Sequence, residues 1–585
     1  MASDLQFPKT RHLTLSGTEH PHPPDADARA RADASEALIV AFGGAATALP
    51  AADPADTKKT ATRLPRLIAV DVAAAEGAHE TCQSRGGKNA EVGGVGIRCV
   101  SSTQGRAKAG ERASAASLQG EAVLVVGLDR WYRQGADDAG FCRSCELATV
   151  EALRESYGEQ VQPWDPLAAL RVPGGRERPF AGLRELLRLT EAVDFCKRCV
   201  LRARDEARKS GPNTPERELL LFGQVGPLTG FALALCRHLD GLVFELPSVD
   251  PAQCILPLIA ARAALGQRPA IATPPATATA QETSLLAALA AACGADLLLA
   301  PGASAEAHAA LANQRRFSAL VRERYRASEP LLDAEVLVSP LVDHWTQGAH
   351  LRAATLCAAA LSRSHLLVGA RLAVEGPASG RAQLLVLAGC EALSATEAKA
   401  ARRHVETGGD LLLVGRAAVI DDEGRPGDPV FLEVKPGMNR LGEGRLYFVE
   451  APQAQAAPQA QSAQLVQPLE QAVLRGAREL FGRGRAQLTL SGRGQIFARA
   501  YLDPERKLDV HLVNLDLTAG QLVPSQGALL HIAGQAAGAG RTGYWFAPER
   551  DGGRDGERIS LNPSGFSVST VLPSFAVAAL LAVPR

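Results

Sequence analysis

Aromatic side chains are scarce in this chain of 585 residues: sixteen Phe, six Tyr and four Trp make up 4% of it. Net charge is missing altogether, because 63 Lys and Arg offset 63 Asp and Glu. A chain without a field of one sign has no electrostatic draw toward nucleic acid or an anionic bilayer. Long apolar runs are missing too. Residues 1–17 hold no apolar core of the signal-peptide kind, and the late apolar stretch 575–583 is far too short to span a bilayer. Eleven cysteines, an odd number scattered over a large chain, fit a reducing compartment better than a disulfide framework. Together these absences lead to the expectation of a cytoplasmic protein with neither nucleic acid nor membrane as partner.

What is present is the make-up of a globular protein, 46% hydrophobic and 22% charged. The length calls for roughly three to four domains. Residues 1–35 are rich in His, Pro, Asp and Arg without periodicity, the composition of a disordered arm. From 36 to 330, short apolar runs alternate with helix-length segments. The candidate strands are 38–42, 67–72, 95–100, 122–128, 219–222, 242–244, 270–273 and 296–300, with amphipathic stretches such as 251–265 and 282–293 between them. Alternation of this kind predicts a parallel α/β architecture, and the strand count suits a (β/α)8 TIM-like barrel; a doubly wound open sheet is the alternative. The first ~120 residues fit least well, because Ala/Gly-rich and Ser/Gly-rich patches stand where barrel helices belong, so the barrel's first quarter reads as degenerate.

A second unit is expected over 335–450. It opens with a strand at 336–339 and a helix at 349–361. A further strand, 383–388, leads to Ser394 and Glu397, spaced as a capping box, then to a helix running to about Thr407. Gly408 and Gly409 supply a left-handed stop, 410–414 is another buried strand, and 421–426 is a polar acidic turn. Residues 451–464 are low-complexity Pro, Gln and Ala, hence a linker, and a helix over 465–481 completes the connecting segment 451–484. From 485 to 585 the period shortens to strands broken by Gly, Pro and Asp turns, the signature of an antiparallel β-sandwich.

The strand–helix–strand unit at 383–414 with its acidic turn resembles the β-galactosidase trimerisation domain of glycoside hydrolase family 42 and related predicted glycosyl hydrolases. The strand around Asp509 to Asn514 is similar to one that recurs in that family's C-terminal domain. The resemblance implies a (β/α)8 barrel, then a flavodoxin-like α/β trimerisation-type domain, then a C-terminal β-sandwich. It also implies a homo-oligomer acting on carbohydrate and hydrolysing O-glycosidic bonds with strand-end carboxylates, with no cofactor required. A catalytically inactive relative with a carbohydrate-binding or scaffolding role is the alternative; the thin supply of aromatic residues counts against a carbohydrate site of either kind.

Barrel chemistry sits at the C-terminal ends of strands, where the βα loops converge. Two carboxylates occupy such places here, Asp129 after the run at 122–128 and Glu245 after 242–244. An acidic residue directly after a buried apolar strand must be buried, paired or functional, which favours Glu245 as nucleophile or base. Asp129 is the candidate acid; its plainer reading is a partner for Arg130 or a helix cap. Trp131 is a candidate sugar platform, and Arg130 lies beside it. In the family an Asn-Glu pair after strand four carries the acid/base, and a glutamate after strand seven is the nucleophile. This chain has no Asn-Glu dipeptide, and Glu245 follows the sixth candidate strand.

Cys142 and Cys145 form a Cys-x-x-Cys helix start similar to one found after strand four in this group of hydrolases, where the cysteines can hold zinc. Cys196 and Cys199 form a second pair, and four thiolates would make a closed structural zinc site. Their separation exceeds the usual range of zinc ribbons, so two half-buried thiols remain the plainer reading. Cys390 follows a strand as an amidotransferase nucleophile would, but Ala388 and Ala392 replace the glycines of a nucleophile elbow. No well-placed histidine follows it in the chain, so it reads as a buried thiol. A Cys-dependent amidohydrolase would need a histidine within hydrogen-bond reach.

Overall fold

The computed structural model describes four short strands and two isolated positions, 201 and 205, before residue 220. From 220 to 584 it describes the chain apart from 300–302, 326–328, 347, 373–381, 420–430, 432, 451–462, 483–485, 493, 503–506, 519–520, 534–540 and 549–555.

The N-terminal unit is built on a parallel sheet. Strands β1 (Leu67–Asp71), β4 (Ala122–Val126), β5 (Leu220–Pro227), β6 (Gly241–Glu245), β7 (Ala270–Thr273) and β8 (Asp296–Leu297) lie side by side in chain order. That order lacks the reversal that defines a doubly wound sheet. One expected strand is corrected. Instead of a strand over 95–100 between its neighbours, β2 (Glu91–Val92) and β3 (Val95–Gly96) form a separate antiparallel pair, and β1 registers directly on β4. Glycines at 93, 94 and 96 weaken that run as a sheet strand, since they offer no side chain to pack. The run at 38–42 lies outside the described residues.

The helices of this unit begin where their caps dictate. Asp250 accepts from the Ala252 amide and Pro251 follows at the first helical position, starting Pro251–Leu265; the chain breaks at Gly266 with φ +63°. Thr279 and Glu282 form a reciprocal capping box at the start of Ala280–Ala292. Both helices are apolar on most of their surface because both are enclosed. The Pro251–Leu265 helix packs against the Ala349–Arg363 helix of the second unit, and the Ala280–Ala292 helix packs against sandwich strand β18 (defined below). Consequently one continuous core runs through all three units, from Ile255 and Leu289 to Val386 and on to Phe497 and Leu580.

The chain then passes through the three-residue strand β9 (Glu329–Leu331) into the second sheet. That sheet holds β10 (Ala334–Leu337), β11 (Val368–Arg371), β12 (Leu384–Ala388), β13 (Asp410–Val414), β14 (Gly437–Leu441) and β15 (Gly444–Val449), in the order β11-β10-β12-β13-β15-β14. All pairs are parallel except β14 with β15. Without that edge strand, the order is the 2-1-3-4-5 of flavodoxin-like sheets, with its switch point between β10 and β12. Ser394 and Glu397 make the expected capping box on Ala395–Glu406, and Gly408 carries the left-handed stop at φ +100°. The acidic turn at 421–426 lies outside the described residues.

The C-terminal unit comprises β16 (Leu488–Ser491), β17 (Ile496–Leu502), β18 (Leu508–Asn514), β19 (Leu517–Thr518), β20 (Gln521–Leu522), β21 (Leu529–Ile532), β22 (Thr542–Phe546), β23 (Glu557–Ser560), β24 (Asn562–Ser564), β25 (Ser567–Val571) and β26 (Ala578–Val583). Two antiparallel sheets, β16-β21-β25-β24 and β23-β22-β26-β18-β17-β9, enclose a core in which Trp545 meets Phe575 edge-on at 5.7 Å. Strand β9 belongs to this sandwich although it precedes the second unit, so the chain is threaded back across the molecule. Polar bonds fasten the seams. Asp333 accepts from the amides of Leu367 and Gln487, both at 2.9 Å, and the Tyr501 hydroxyl donates to the Ala292 carbonyl at 2.6 Å. No helix among the described residues is long and apolar enough to cross a membrane.

Candidate functional site

The C-terminal edge of the first sheet is formed by the ends of its six strands, with Asp71 closing β1 and Glu245 closing β6. Glu245 closes β6 after four buried residues, with its own side chain in solvent. Exposure removes the desolvation cost that the sequence argument assigned to it. Among the described residues no hydrogen-bond or ion-pair partner holds its carboxylate. Counted back from the last strand, Glu245 ends the antepenultimate strand, and the penultimate strand ends in Thr273, its neighbour in register. The Thr273 hydroxyl donates to the Phe244 carbonyl at 3.2 Å, and the Leu246 amide donates to the Thr273 carbonyl at 2.8 Å. Beyond Glu245 the loop serves the next helix. Ser248 Oγ accepts from the Asp250 amide at 3.0 Å, and the Ser248 carbonyl accepts from the Cys254 thiol at 3.1 Å. Asp129, Arg130 and Trp131 lie outside the described residues, as do Cys142, Cys145, Cys196 and Cys199. No cluster of three or more His, Cys, Asp or Glu among the described residues could hold a metal ion.

A second constellation lies at the switch point of the second sheet. Gly389 turns the chain out of β12 at φ +61°, and Cys390 follows, fully buried. His350 stands beside it with Nδ1 3.7 Å from Sγ. Sequence reasoning missed this histidine because it sought one after Cys390. His350 instead precedes it by forty residues, at the start of Ala349–Arg363, the second helix after β10. In a parallel sheet the strand neighbouring β12 is β10, so the helices after it were the place to look.

Proximity here does not make a catalytic pair. His350 Nε2 accepts from the Ser339 amide at 3.0 Å, so Nδ1 carries the proton and donates it to the Ala388 carbonyl at 2.8 Å. The nitrogen nearest the thiol is therefore the protonated one and cannot serve as its base. Burial holds the imidazole below its ordinary range although the nearby Asp343 carboxylate pulls it upward. Burial also pushes the Cys390 thiol far above its usual range, and the charge of Glu397 adds to the effect. A thiol in that state supplies almost no thiolate, so the amidohydrolase reading fails on protonation rather than on distance.

Asp343 completes the constellation and explains its burial. One of its carboxylate oxygens accepts from the Gly230 amide of the first unit at 2.8 Å, and the other accepts from the Leu351 amide at 3.2 Å. Gly230 opens the Gly230–Leu235 helix, which follows β5 and packs against Pro340–Trp345. A β-carbon at Gly230 would stand 2.5 Å from the Pro340 carbonyl oxygen and 3.0 Å from Asp343 Cβ, so only glycine admits this approach. The first unit thus closes the crevice where flavodoxin-like sheets receive ligands.

No family model and no curated protein matches the sequence. Solved structures do match, over most of the chain. A β-galactosidase from Bacillus circulans sp. alkalophilus aligns over 86% of this chain and 86% of its own, at 12% identity and a TM-score of 0.57. A GH42 β-galactosidase from G. stearothermophilus covers 86% and 85%, at 11% identity and a TM-score of 0.59. An α-L-fucosidase isoenzyme from Paenibacillus thiaminolyticus covers 86% and 84%, at 13% identity and a TM-score of 0.56. At such identities the likeness is one of fold, and the fold is GH42-like.

Proposed function

We propose that the first unit is a (β/α)8 glycosidase-type barrel and the second a trimerisation-type domain of a cytoplasmic homo-oligomer. In this reading the protein binds carbohydrate without hydrolysing it. One observation carries the reading: the penultimate strand of the sheet ends in Thr273, where the resemblance calls for a nucleophilic glutamate. Hydrolysis needs two carboxyl groups, ~5 Å apart for retention or ~6.5–9.5 Å apart for inversion. Among the described strand ends of this sheet, carboxylates close β6 (Glu245) and, at the far side, β1 (Asp71), and the penultimate strand supplies neither. The hydroxyl proton of Thr273 is committed to the Phe244 carbonyl, which counts against it as a substitute nucleophile. The test is release of nitrophenol from β-galactoside and α-L-fucoside substrates, the sugars named for the structural neighbours, beside calorimetric titration with the free sugars. The expected result is sugar binding without turnover. Turnover by the wild type that disappears in Glu245→Gln would overturn it.

A second reading is favoured by the state of Glu245 itself, a solvent-facing carboxylate at a strand's C-terminal end. It makes the protein an O-glycosyl hydrolase with Glu245 as nucleophile or base and Asp129 as acid. Trp131 would be the sugar platform, with Arg130 beside it. Loss of turnover in both Glu245→Gln and Asp129→Asn would establish that pair. A structural zinc on Cys142 and Cys145 is compatible with either reading, and metal analysis of the purified chain tests it.

A further inference from the structure

The smaller sheet of the sandwich turns one face to its core and the other to solvent. The inward residues of β16, β21 and β25 are buried and, apart from Thr570, apolar, among them Leu488, Leu530 and Val568. Strand alternation therefore sends the intervening residues outward. Register aligns four of them in one row across all four strands: Thr489 with His531, His531 with Ser569, and Ser569 with Asn562. At about 4.8 Å per strand the row extends about 14 Å. One end of this face carries Leu529 and Val571, directly opposed and 41% and 62% exposed. Beyond the other end, the hairpin tip at Gly565 holds Phe566, 92% exposed. The remaining outward positions are serines, so no Asp, Glu, Lys or Arg points outward from this sheet. Edge strand β23 of the other sheet, by contrast, exposes Glu557 and Arg558.

We propose that this face binds a neutral, extended oligosaccharide, an inference that rests on the carbohydrate-directed reading above. Hydroxyl, imidazole and amide groups in a row offer donors and acceptors to sugar hydroxyls without imposing a charge. The phenyl ring and the aliphatic pair offer apolar surface to the C–H faces of the sugar rings. Thr489 and His531 hold no hydrogen-bond partner among the described residues and stay free to bind, whereas Ser569 already donates to the Asn562 carbonyl at 3.4 Å. Absence of basic residues argues against nucleic acid or anionic lipid. Three exposed apolar side chains make too small a patch for a stable protein interface. Strand pairing with a second copy is disfavoured at the β24 edge, which is three residues long and includes Pro563.

The test is calorimetric titration of the full chain with hexaoses of galactose, glucose and xylose. At least one hexaose is expected to bind the wild type. His531→Ala and Phe566→Ser should each weaken that binding at least fivefold, with the thermal midpoint unchanged as the folding control. Hexaose affinity that survives both substitutions and falls only with changes in the Glu245 loop overturns the proposal and leaves the barrel reading standing. Failure of every hexaose overturns it whatever the barrel does with short sugars. Sedimentation provides the remaining arm: if Phe566→Ser dissolves an oligomer and leaves hexaose affinity intact, the face belongs to a second copy and the proposal is wrong.

Discussion

The C-terminal edge of the first sheet and the crevice of the second hold their polar groups in opposite states. At the C-terminal edge of the first sheet, Glu245 is open to solvent with no partner for its carboxylate among the described residues, and Thr273 stands beside it in register. At the crevice of the second sheet, Asp343, His350 and Cys390 stand together, yet all three are buried and their hydrogen bonds are spent on backbone groups. One region leaves its carboxylate open to solvent; the other seals its groups and turns the imidazole proton to a backbone carbonyl. Residue types alone therefore do not make a site. The hydrogen bonds of the neighbouring backbone decide whether a histidine is a base or a brace.

Acid is the harshest way to probe the buried groups, because it acts on imidazoles that burial keeps neutral. Burial holds His511 down at about 4, against 6.5 in the unfolded chain. Its folded form thus resists protonation, and the stability it contributes is present above about 6.5 and lost as pH falls through 4. A shift of that size corresponds to about 3 kcal/mol at the acid end. His350 moves in the same direction, and its protonation would turn Nε2 from an acceptor into a donor facing the Ser339 amide. Asp333 opposes them. Burial raises it to about 6, so its contribution is fully present below about 3.8 and is lost as pH rises through 6. Burial lowers His365 and His404 as well, so four histidines stand against one aspartate and stability should fall between pH 6.5 and 4. A His511→Leu variant should show a flatter dependence in urea melts across that window; an unchanged slope would refute the assignment.

The seam comes next in size. Gly230→Ala forces a β-carbon against Pro340 and displaces the Asp343 bond, an overpacking cost of about 1–3 kcal/mol. Hydrogen exchange should quicken first within Gly230–Leu235 and around Leu351, whose amide shares the same carboxylate. Uniform exchange across the chain would mean that the seam is not fastened there. A kinetic effect follows. Iodoacetamide should label Cys390 no faster than the protein unfolds, because a buried thiol so far above its usual range offers no thiolate. Rapid labelling of the native protein would show that the crevice opens.

Much of this arrangement was legible in the sequence, and the parts that were not share a physical cause. Helices whose signals are local came through with their boundaries, as Asp250 and Gly266 fix 251–265 and Ser394 and Gly408 fix the helix at 395–406. Strands 410–414 and 508–514 were visible as apolar runs. What escaped depends on distant residues. Strand β9 is three residues of Glu-Pro-Leu that mean nothing until β17 pairs with them. The expected strand at 95–100 does not stand beside β1: Val95 and Gly96 pair with β2 instead, and β1 registers on β4. In the candidate sites, Glu245 was found at its strand end, while its exposure was not, because a strand's last residue faces whatever the tertiary fold brings. His350 lay hidden forty positions upstream of the thiol it touches.

The smallest effect sharpens the comparison most. Glu245→Gln removes a charge that no described residue answers, so stability should change by no more than about 0.5 kcal/mol, as for other surface substitutions. Asp343→Asn is the matched change in the sealed region. It keeps the shape but replaces one carboxylate oxygen by an amide donor facing an N–H that needs an acceptor, from either Gly230 or Leu351. That leaves a buried amide unsatisfied, at about 1–3 kcal/mol. The pair of measurements reads the same chemical edit, carboxylate to amide, in the two environments. Equal costs would mean that Glu245 is held by contacts like those of Asp343, and its standing as an open group waiting for a ligand would fall. A near-silent Glu245→Gln beside a costly Asp343→Asn would leave Glu245 with no structural reason to be a carboxylate, and ligand binding as the place to look for one.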